Sequence, residues 1–466
     1  MNERQHRGRR VAVIGGGIAG TATALELRRA DATIDVTLFE GATHVGGRIA
    51  STPFAGISGL DAGADAFLAR VPEAVALATS LDLDLVSPEP VGAAIWRDGL
   101  HAIPDGLLLG LPGRPWPLVR SSLLSWRSTL RAAIEPLVPR TSLAPDSVGA
   151  YVRTRFGDEV HEVLVDSLVG SIYAADTDRF SLAEVPQLHQ LASTRRSVLL
   201  AGRFGAAGRA RRPGTATAAA GPIFAAPRGG MADLVTAAAD AVVTGGGELR
   251  LGHPIQQVAT DGSGWRVDDE RFDAVILATP PLASAPMLAD VAPDASALLA
   301  RAETADVVMV VVHLPESAWP ERLHGLSGYL IPKTEQRTLT AVSFGSQKWA
   351  HWQPADGGVI LRASLGRDGA PVAHLDDDTI VARTLDDLAL QLGIDPTPID
   401  VRITRWPGAF AQYRPHHRRW VEAVEAALPA EVGVTGAGYR GIGIPACVRD
   451  AKRIVNRTVQ SLNALS

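Results

Sequence analysis

Hydrophobic positions along this chain follow two rhythms. Val11-Ala-Val-Ile14 and Val36-Thr-Leu-Phe39 are short unbroken apolar runs, the pattern of strands buried on both faces. From Thr21, Ala24, Leu25, Leu27 and Ala30 supply the apolar positions of a helix. The same alternation returns later. Pro227-Arg-Gly-Gly-Met231 opens a helix carrying Leu234, Val235 and Ala238, and Glu248-Leu-Arg-Leu251 reads as a strand. Phe272 to Thr279 is a buried strand stopped by Pro280-Pro281, and Val432-Gly-Val-Thr435 is another. A final helix from Ile444 places Val448, Ala451, Val455, Thr458 and Leu462 near one face. Strands alternating with helices predict a parallel sheet covered by helices. Other stretches differ. Val307 to Leu314 is strand-like, and Tyr329-Leu330 forms a hairpin with Thr338 to Phe344. Helices are expected over Trp126 to Leu137, Val148 to Phe156 and Glu159 to Ile172. In the last, Val160, Val163, Leu164, Val165 and Leu168 give a wide apolar face.

Composition narrows the class. At 466 residues the chain is long enough for two or three lobes. With 46% hydrophobic and 20% charged residues it can fill sizeable cores, which excludes a disordered chain. Its single cysteine, Cys447, excludes an internal disulfide and any multi-cysteine metal centre, and no metal is expected. A formal charge of −5 leaves no basic excess for nucleic acid. No window holds the roughly 18 apolar residues that a spanning helix needs. Arg4, Arg7, Arg9 and Arg10 could open an export signal, but the residues from Val11 onward fit a nucleotide site better, so a cytoplasmic chain is expected.

That site begins at Gly15-Gly-Gly17-Ile18-Ala19-Gly20, between the first strand and the first helix. Gly15 permits a tight turn, Gly17 lets backbone amides approach a pyrophosphate, and Gly20 lets helix and strand pack closely. Glu40 ends the second strand twenty residues after Gly20, where an acid takes ribose hydroxyls. After five intervening residues comes Gly46-Gly47-Arg48. Three spaced glycines alone are a weak signal; their conjunction with the acid and the second glycine pair is specific.

Gly46-Gly47-Arg48 resembles the flavin-binding signature of the amine oxidase and protoporphyrinogen oxidase superfamily, which implies FAD. The resemblance extends to Ile255, where the family's backbone pairs with adenine, and to Thr279 at the end of an Ala-Thr strand. It extends also to the glycine-rich loop Gly436 to Gly443. There Gly441, Gly443 and Ile444 would offer amides to the flavin. A helix N-terminus aimed at the flavin ring carries about half a positive charge. At roughly 4 Å and an effective dielectric near 20 it stabilises the reduced anionic cofactor by about 2 kcal/mol.

Longer strings narrow the family. Phe156-Gly-Asp-Glu-Val160, Val165-Asp-Ser-Leu-Val-Gly170, Ser171 to Asp178 and Ser181-Leu182 closely resemble the middle signature of FAD-dependent porphyrinogen oxidases. Gly436 to Cys447 resembles their C-terminal signature; Ala62 to Phe67, Trp96 to Pro104, Ser327 to Pro332 and Ser346 to Trp349 also match, in colinear order. The resemblance implies an α/β (α+β overall) fold: a discontinuous Rossmann-like FAD-binding domain, a strand-rich substrate domain and a helical subdomain. The expected boundaries are 1–80, 213–290 and 427–466 for FAD, 81–105 and 291–426 for substrate, and 106–212 for the helices over the cleft.

It also implies a reaction: six-electron oxidation of a porphyrinogen in heme biosynthesis, with hydride passing from a meso carbon to flavin N5 and O2 reoxidising the flavin to give three H2O2. The flavin carries that chemistry, so no dedicated catalytic side chain is expected. Coproporphyrinogen III, with four propionates, is the favoured substrate, since its oxidases in Gram-positive bacteria are soluble. Protoporphyrinogen IX is the alternative, followed by an amine substrate and by a flavin-bound porphyrin handover protein without turnover. Propionates need cationic partners, and family placement offers Arg70, Arg97, Lys348, Arg362 and Arg367.

Two departures stand out. Val91-Gly-Ala-Ala94 lacks the propionate-binding arginine of many plant and mitochondrial members. Around Gln412-Tyr-Arg-Pro-His-His417, Ala411 and His416 depart from the family string, whereas His417 keeps its place. Pro407-Gly-Ala-Phe410 lacks the cysteine of covalent amine oxidases, which implies non-covalent FAD, and Cys447 reads as a packing thiol. Leu107 to Leu109 with Trp116 is a candidate weak membrane contact. Arg195 to Arg212, with six arginines and no acid, reads as a surface loop, and as a candidate docking patch for substrate or an acidic partner such as another heme-pathway enzyme.

Overall fold

The computed structural model describes residues 8–113, 119–204, 222–262 and 264–464. Its centre is a five-stranded parallel sheet ordered Glu248–Arg250, Asp35–Phe39, Arg10–Ile14, Ala274–Leu277, Val432–Val434. The two apolar runs that open the chain pair in register from Arg10–Asp35 to Ile14–Phe39. Their side chains divide between two cores. Val11, Val13, Val36 and Leu38 pack beneath helices Ile18–Ala30, Ala232–Thr244 and Ile444–Ala464. Ala12, Ile14 and Phe39 face the opposite side, with Trp265, Phe272, Leu288 and Val424. A sheet covered on both faces explains why these strands are apolar throughout rather than alternating.

A second sheet of seven strands runs Asp400–Ala411, Thr304–Leu314, Val359–Leu365, Leu339–Phe344, Leu326–Leu330, Gly92–Trp96, Leu100–Ala102. All pairs are antiparallel except Leu326–Leu330 with Gly92–Trp96. The hairpin expected from Tyr329-Leu330 and Thr338 to Phe344 is there. Helix Asp377–Leu392 buries Ile380, Leu388 and Leu392 against the sheet. Asp376 caps it by accepting the Thr379 amide at 2.8 Å, and Gly393 ends it at φ 59°.

A third, helical layer holds Val148, Val152, Phe156, Leu164, Phe180 and Leu188 in its core. Three expectations change here. The helix from Trp126 stops at Ala133, and a 3-10 turn over Glu135–Leu137 comes next, because Pro136 cannot continue the hydrogen-bond ladder. The stretch expected to be an α-helix over Glu159 to Ile172 is a π-helix over Val160–Gly170, then a short helix Ser171–Tyr173. Bonding from i to i+5 widens the turn and brings positions five apart onto one face. His161 and Asp166 thereby share one partner: the Thr177 hydroxyl lies 2.8 Å from His161 Nε2 and donates to Asp166 Oδ1 at 2.6 Å.

The third change concerns the arginine-rich loop. Within it, Val198–Phe204 is a helix with Val198 and Leu199 buried. Glu135, itself fully buried, accepts the Val198 and Leu199 amides at 3.1 and 3.3 Å and the Ser197 hydroxyl at 2.5 Å. A carboxylate at a helix N-terminus is favourable, and this one also pairs with the buried Arg155. Residues 205–212 of that loop and Trp116 lie outside the described residues. Leu107–Leu108 pairs with Leu111–Pro112. Among the described residues no helix is long and apolar enough to cross a membrane.

Candidate active site

The first strand ends at Ile14 and the chain must reverse into a helix beneath the sheet. Gly15 does this at φ 110°. A Cβ at Gly20 would stand 1.8 Å from the Gly15 carbonyl oxygen, so only glycine lets the helix come this close. Glu40 ties the neighbouring loops together, accepting the Gly16 amide at 2.6 Å and the Ala42 amide at 2.8 Å. The second glycine loop abuts the first: the Gly46 amide donates to Gly16 O at 2.9 Å. Beside them, Arg48 lines a cavity, and among the described residues no hydrogen bond or ion pair engages its guanidinium. Burial pushes its pKa below the usual arginine value. An uncommitted, partly buried guanidinium next to open glycine amides is a fitting seat for an anionic pyrophosphate.

That cavity is one continuous space of about 850 Å³, within the range of cofactor and ligand sites. Glu40, His253 and Ile255 line it, together with Gly15, Gly17 to Ala19 and Gly46 to Arg48. Its lining also takes in Gly436, Gly443 and Ile444, which follow the last strand of the parallel sheet, and Met309, Thr340 and Trp406 of the seven-stranded sheet. Of the cofactor positions expected from sequence, Gly15, Gly17, Ile18, Ala19, Glu40, Gly46, Gly47, Arg48, Ile255, Thr279, Gly436, Gly443 and Ile444 all line it. Gly20 does not; its place is the helix–strand contact. Gly441 does not either, since its amide donates to the Tyr413 hydroxyl at 3.0 Å rather than facing the cavity.

The cation candidates separate. Arg70 is exposed and off the cavity. Arg97 is committed elsewhere, paired with Glu159 at 2.8 Å and donating to Leu123 O. Lys348, Arg362 and Arg367 line the cavity. Lys348 and Arg362 converge on one carboxylate, Asp65, at 2.7 and 3.0 Å. Burial alone would raise the Asp65 pKa, but the two cations overcome it and hold the carboxyl well below its usual range. Arg367 makes a two-pronged pair with Asp166, 2.8 Å on each side. Three cations thus face two carboxylates, leaving one surplus positive charge, located where Asp65 is shared.

Several cavity residues escaped the sequence reading: Asp65, Met309, Trp406 and His253. Val307 and Met309 share a strand face two residues apart, which alternation could have signalled. Trp406 is fixed by donating to Ala62 O at 2.9 Å. Cys447 lies buried with its sulfur 3.7 Å from Gly441 O, and burial pushes its pKa up to about 12, as suits a packing thiol.

A parallel sheet with a glycine turn, a second glycine loop and an uncommitted arginine, all lining one cavity, fits the class of dinucleotide-cofactor oxidoreductases. The chain matches the family of flavin containing amine oxidoreductases over residues 18–458. It is 32% identical to a coproporphyrinogen III oxidase of Mycobacterium tuberculosis, over 97% of this chain and 98% of that one. With the Bacillus subtilis coproporphyrinogen III oxidase it shares 29% identity, over 96% and 97% of the two chains. A crystal structure from Exiguobacterium sp. 255-15 bearing a protoporphyrinogen oxidase name superposes with TM-score 0.83 at 26% identity, covering 98% and 99%. The chain belongs to the flavin containing amine oxidoreductase family, and it is a flavin-dependent oxidoreductase.

Proposed function

We propose that the chain oxidises coproporphyrinogen III to coproporphyrin III with O2 as acceptor, using non-covalently held FAD. The observation that carries this reading is the single cavity joining the glycine loops to a chamber that presents Lys348, Arg362 and Arg367. The nearly full-length likeness to proteins named coproporphyrinogen III oxidase supports the substrate. A protoporphyrinogen oxidase of Macaca fascicularis is 27% identical, below the 32% and 29% of the Mycobacterium tuberculosis and Bacillus subtilis proteins. Bound flavin supplies the two-electron acceptor, used three times per macrocycle and reoxidised by O2.

The chain's own residues have definable tasks. Gly15 to Ala19, Gly46, Gly47 and Arg48 hold the pyrophosphate, and Glu40 with its neighbours holds the adenosine end. Val307, Met309, Ile172, Trp406 and Phe410 give the chamber an apolar wall that packs on a macrocycle and excludes water. The surplus charge of the Lys348, Arg362 and Asp65 cluster receives a propionate, whereas Arg367, already neutralised by Asp166, orients more than it attracts. Non-covalent attachment is supported by the cavity-lining Ala409 and Phe410, where no cysteine stands, and by the burial of Cys447. The three-part division set out from the sequence, and action in the cytoplasm within heme biosynthesis, complete this reading.

The test is direct. FAD-loaded protein, mixed anaerobically with coproporphyrinogen III and then exposed to O2, should develop coproporphyrin fluorescence with three H2O2 per porphyrin. Absence of both products removes the proposal.

A further inference from the structure

The segment Gln412–His417 lines no part of the cavity, yet it holds two of its walls. Tyr413 is completely buried, its ring stacked on His417 at 3.9 Å and 19° and facing Phe180 at 5.8 Å and 21°. Its hydroxyl is inserted into the glycine-rich loop, donating to Ala437 O at 2.7 Å and accepting from the Gly441 amide at 3.0 Å. One hydroxyl therefore closes the loop across four residues. His417 secures a third point, with Nε2 2.9 Å from Tyr439 O. A carbonyl oxygen only accepts, so Nε2 carries the proton. Ala437, Ile442 and Gly443 of this loop reach the cavity, and Ile444 begins the helix that points into it.

The same segment grips the opposite wall. The Gln412 side-chain amide donates to the Tyr173 and Ala174 carbonyls, both at 3.3 Å, in the turn that brings Ile172 and Ala174 to the cavity. Its backbone is anchored to the helical layer. The Ser181 amide donates to Tyr413 O at 2.7 Å, and the His416 amide to Asp146 Oδ2 at 2.6 Å. Asp146 in turn accepts the Ser181 hydroxyl at 2.7 Å. Tyr413 is thus held from below by the helical layer and reaches up into the loop.

We propose that Tyr413 is a positioning residue for the bound flavin: with His417 it sets the shape of the Gly436–Gly443 loop and so aims the amides and the helix that succeed it. The proposal rests on the flavin reading. Removing the hydroxyl leaves the Gly441 N–H and the Ala437 carbonyl without a partner where water does not reach, and such groups are costly. The loop must then rearrange to satisfy them, turning the helix N-terminus away from the charge the cofactor gains on reduction. The ring itself, with its two stacking contacts, survives a change to phenylalanine. Packing and positioning can therefore be separated.

The experiment uses the full chain and two readouts, the dissociation constant of FAD and the midpoint potential of the bound flavin. Tyr413→Phe should weaken FAD binding about tenfold and lower the potential. Tyr329→Phe is the matched control. It removes an equally buried hydroxyl, bonded to Gln391 Oε1 at 2.7 Å in the core of the seven-stranded sheet, and should lower the melting temperature while leaving both flavin constants unchanged. His417→Ala should behave like Tyr413→Phe, and His417→Gln, whose amide can still donate to Tyr439 O, should restore both constants. Unchanged FAD affinity and potential in Tyr413→Phe would overturn the proposal, as would equal shifts in Tyr329→Phe. Failure of the unmodified chain to bind FAD at all would instead overturn the flavin reading, and the proposal with it.

Discussion

Arg48 and Asp65 show how much a side chain's partners decide. Arg48 has no partner among the described residues, so its removal takes no ion pair from the folded chain. Arg48→Ala should leave the stability of the cofactor-free protein within about 0.5 kcal/mol of the original and raise the FAD dissociation constant about 10- to 100-fold, the loss of a charge-assisted bond. Calorimetric titration and thermal melting check the two halves. A neighbouring carboxyl, Asp61, responds to pH. Its burial, only partly offset by bonds from Ser51 and the Met231 amide, raises its pKa to about 6. The folded chain therefore holds this proton more tightly than the unfolded chain. Its contribution to stability is full below about pH 4 and is lost as pH rises through about 6, on the order of 3 kcal/mol in all. Asp61→Asn should flatten that part of the unfolding-free-energy profile between about pH 4 and 6.5. The five candidate cations illustrate what sequence hides at this scale. Arg97 and Arg362 look alike in the chain, but one pairs with Glu159 and the other opens onto the cavity beside Asp65.

Elements were legible in proportion to how local their causes are. The strands Arg10–Ile14 and Asp35–Phe39 and the turn between Gly15 and Gly20 arise from apolar runs and glycine positions within forty residues. The helix Val198–Phe204 was missed because its N-terminus is satisfied by Glu135, more than sixty residues earlier in the chain. The π-helix Val160–Gly170 escaped for a related reason: its widened turn serves Thr177, which lies beyond its own end. Glu135 also carries a prediction. Glu135→Gln leaves the buried Arg155 without its counter-charge and should cost about 3 kcal/mol in urea unfolding. It should also free the helix it caps, so trypsin should cut after Arg195 or Arg196 faster than in the unmodified chain. Gly20→Val acts on another junction. With a Cβ 1.8 Å from Gly15 O, the first helix must withdraw from the sheet and FAD binding should be abolished, as quenching of flavin fluorescence would reveal.

At the scale of the molecule, the chamber exists because three layers meet around it. The parallel sheet supplies the glycine loops, the seven-stranded sheet supplies Met309, Thr340 and Arg362, and the helical layer closes one side through Ile172 and Ala174. Ion pairs join the last two layers: Lys333 with Asp176 at 2.7 Å, Arg367 with Asp166 at 2.8 Å, Arg97 with Glu159 at 2.8 Å. No single stretch of chain contains this chamber. The motifs therefore pointed to most of the glycine-loop positions that line the cavity, while Asp65 and Trp406 join that lining only through the assembly of the layers. On the proposed function, the surplus positive charge beside an apolar wall favours a macrocycle with more carboxylates. The most direct measurement is kcat/KM of the FAD-loaded chain for anaerobically prepared coproporphyrinogen III and protoporphyrinogen IX, read by porphyrin fluorescence. Four propionates against two should favour coproporphyrinogen III by about tenfold or more, one charge-assisted contact's worth. Equal values, or a preference for protoporphyrinogen IX, would contradict this account of the site.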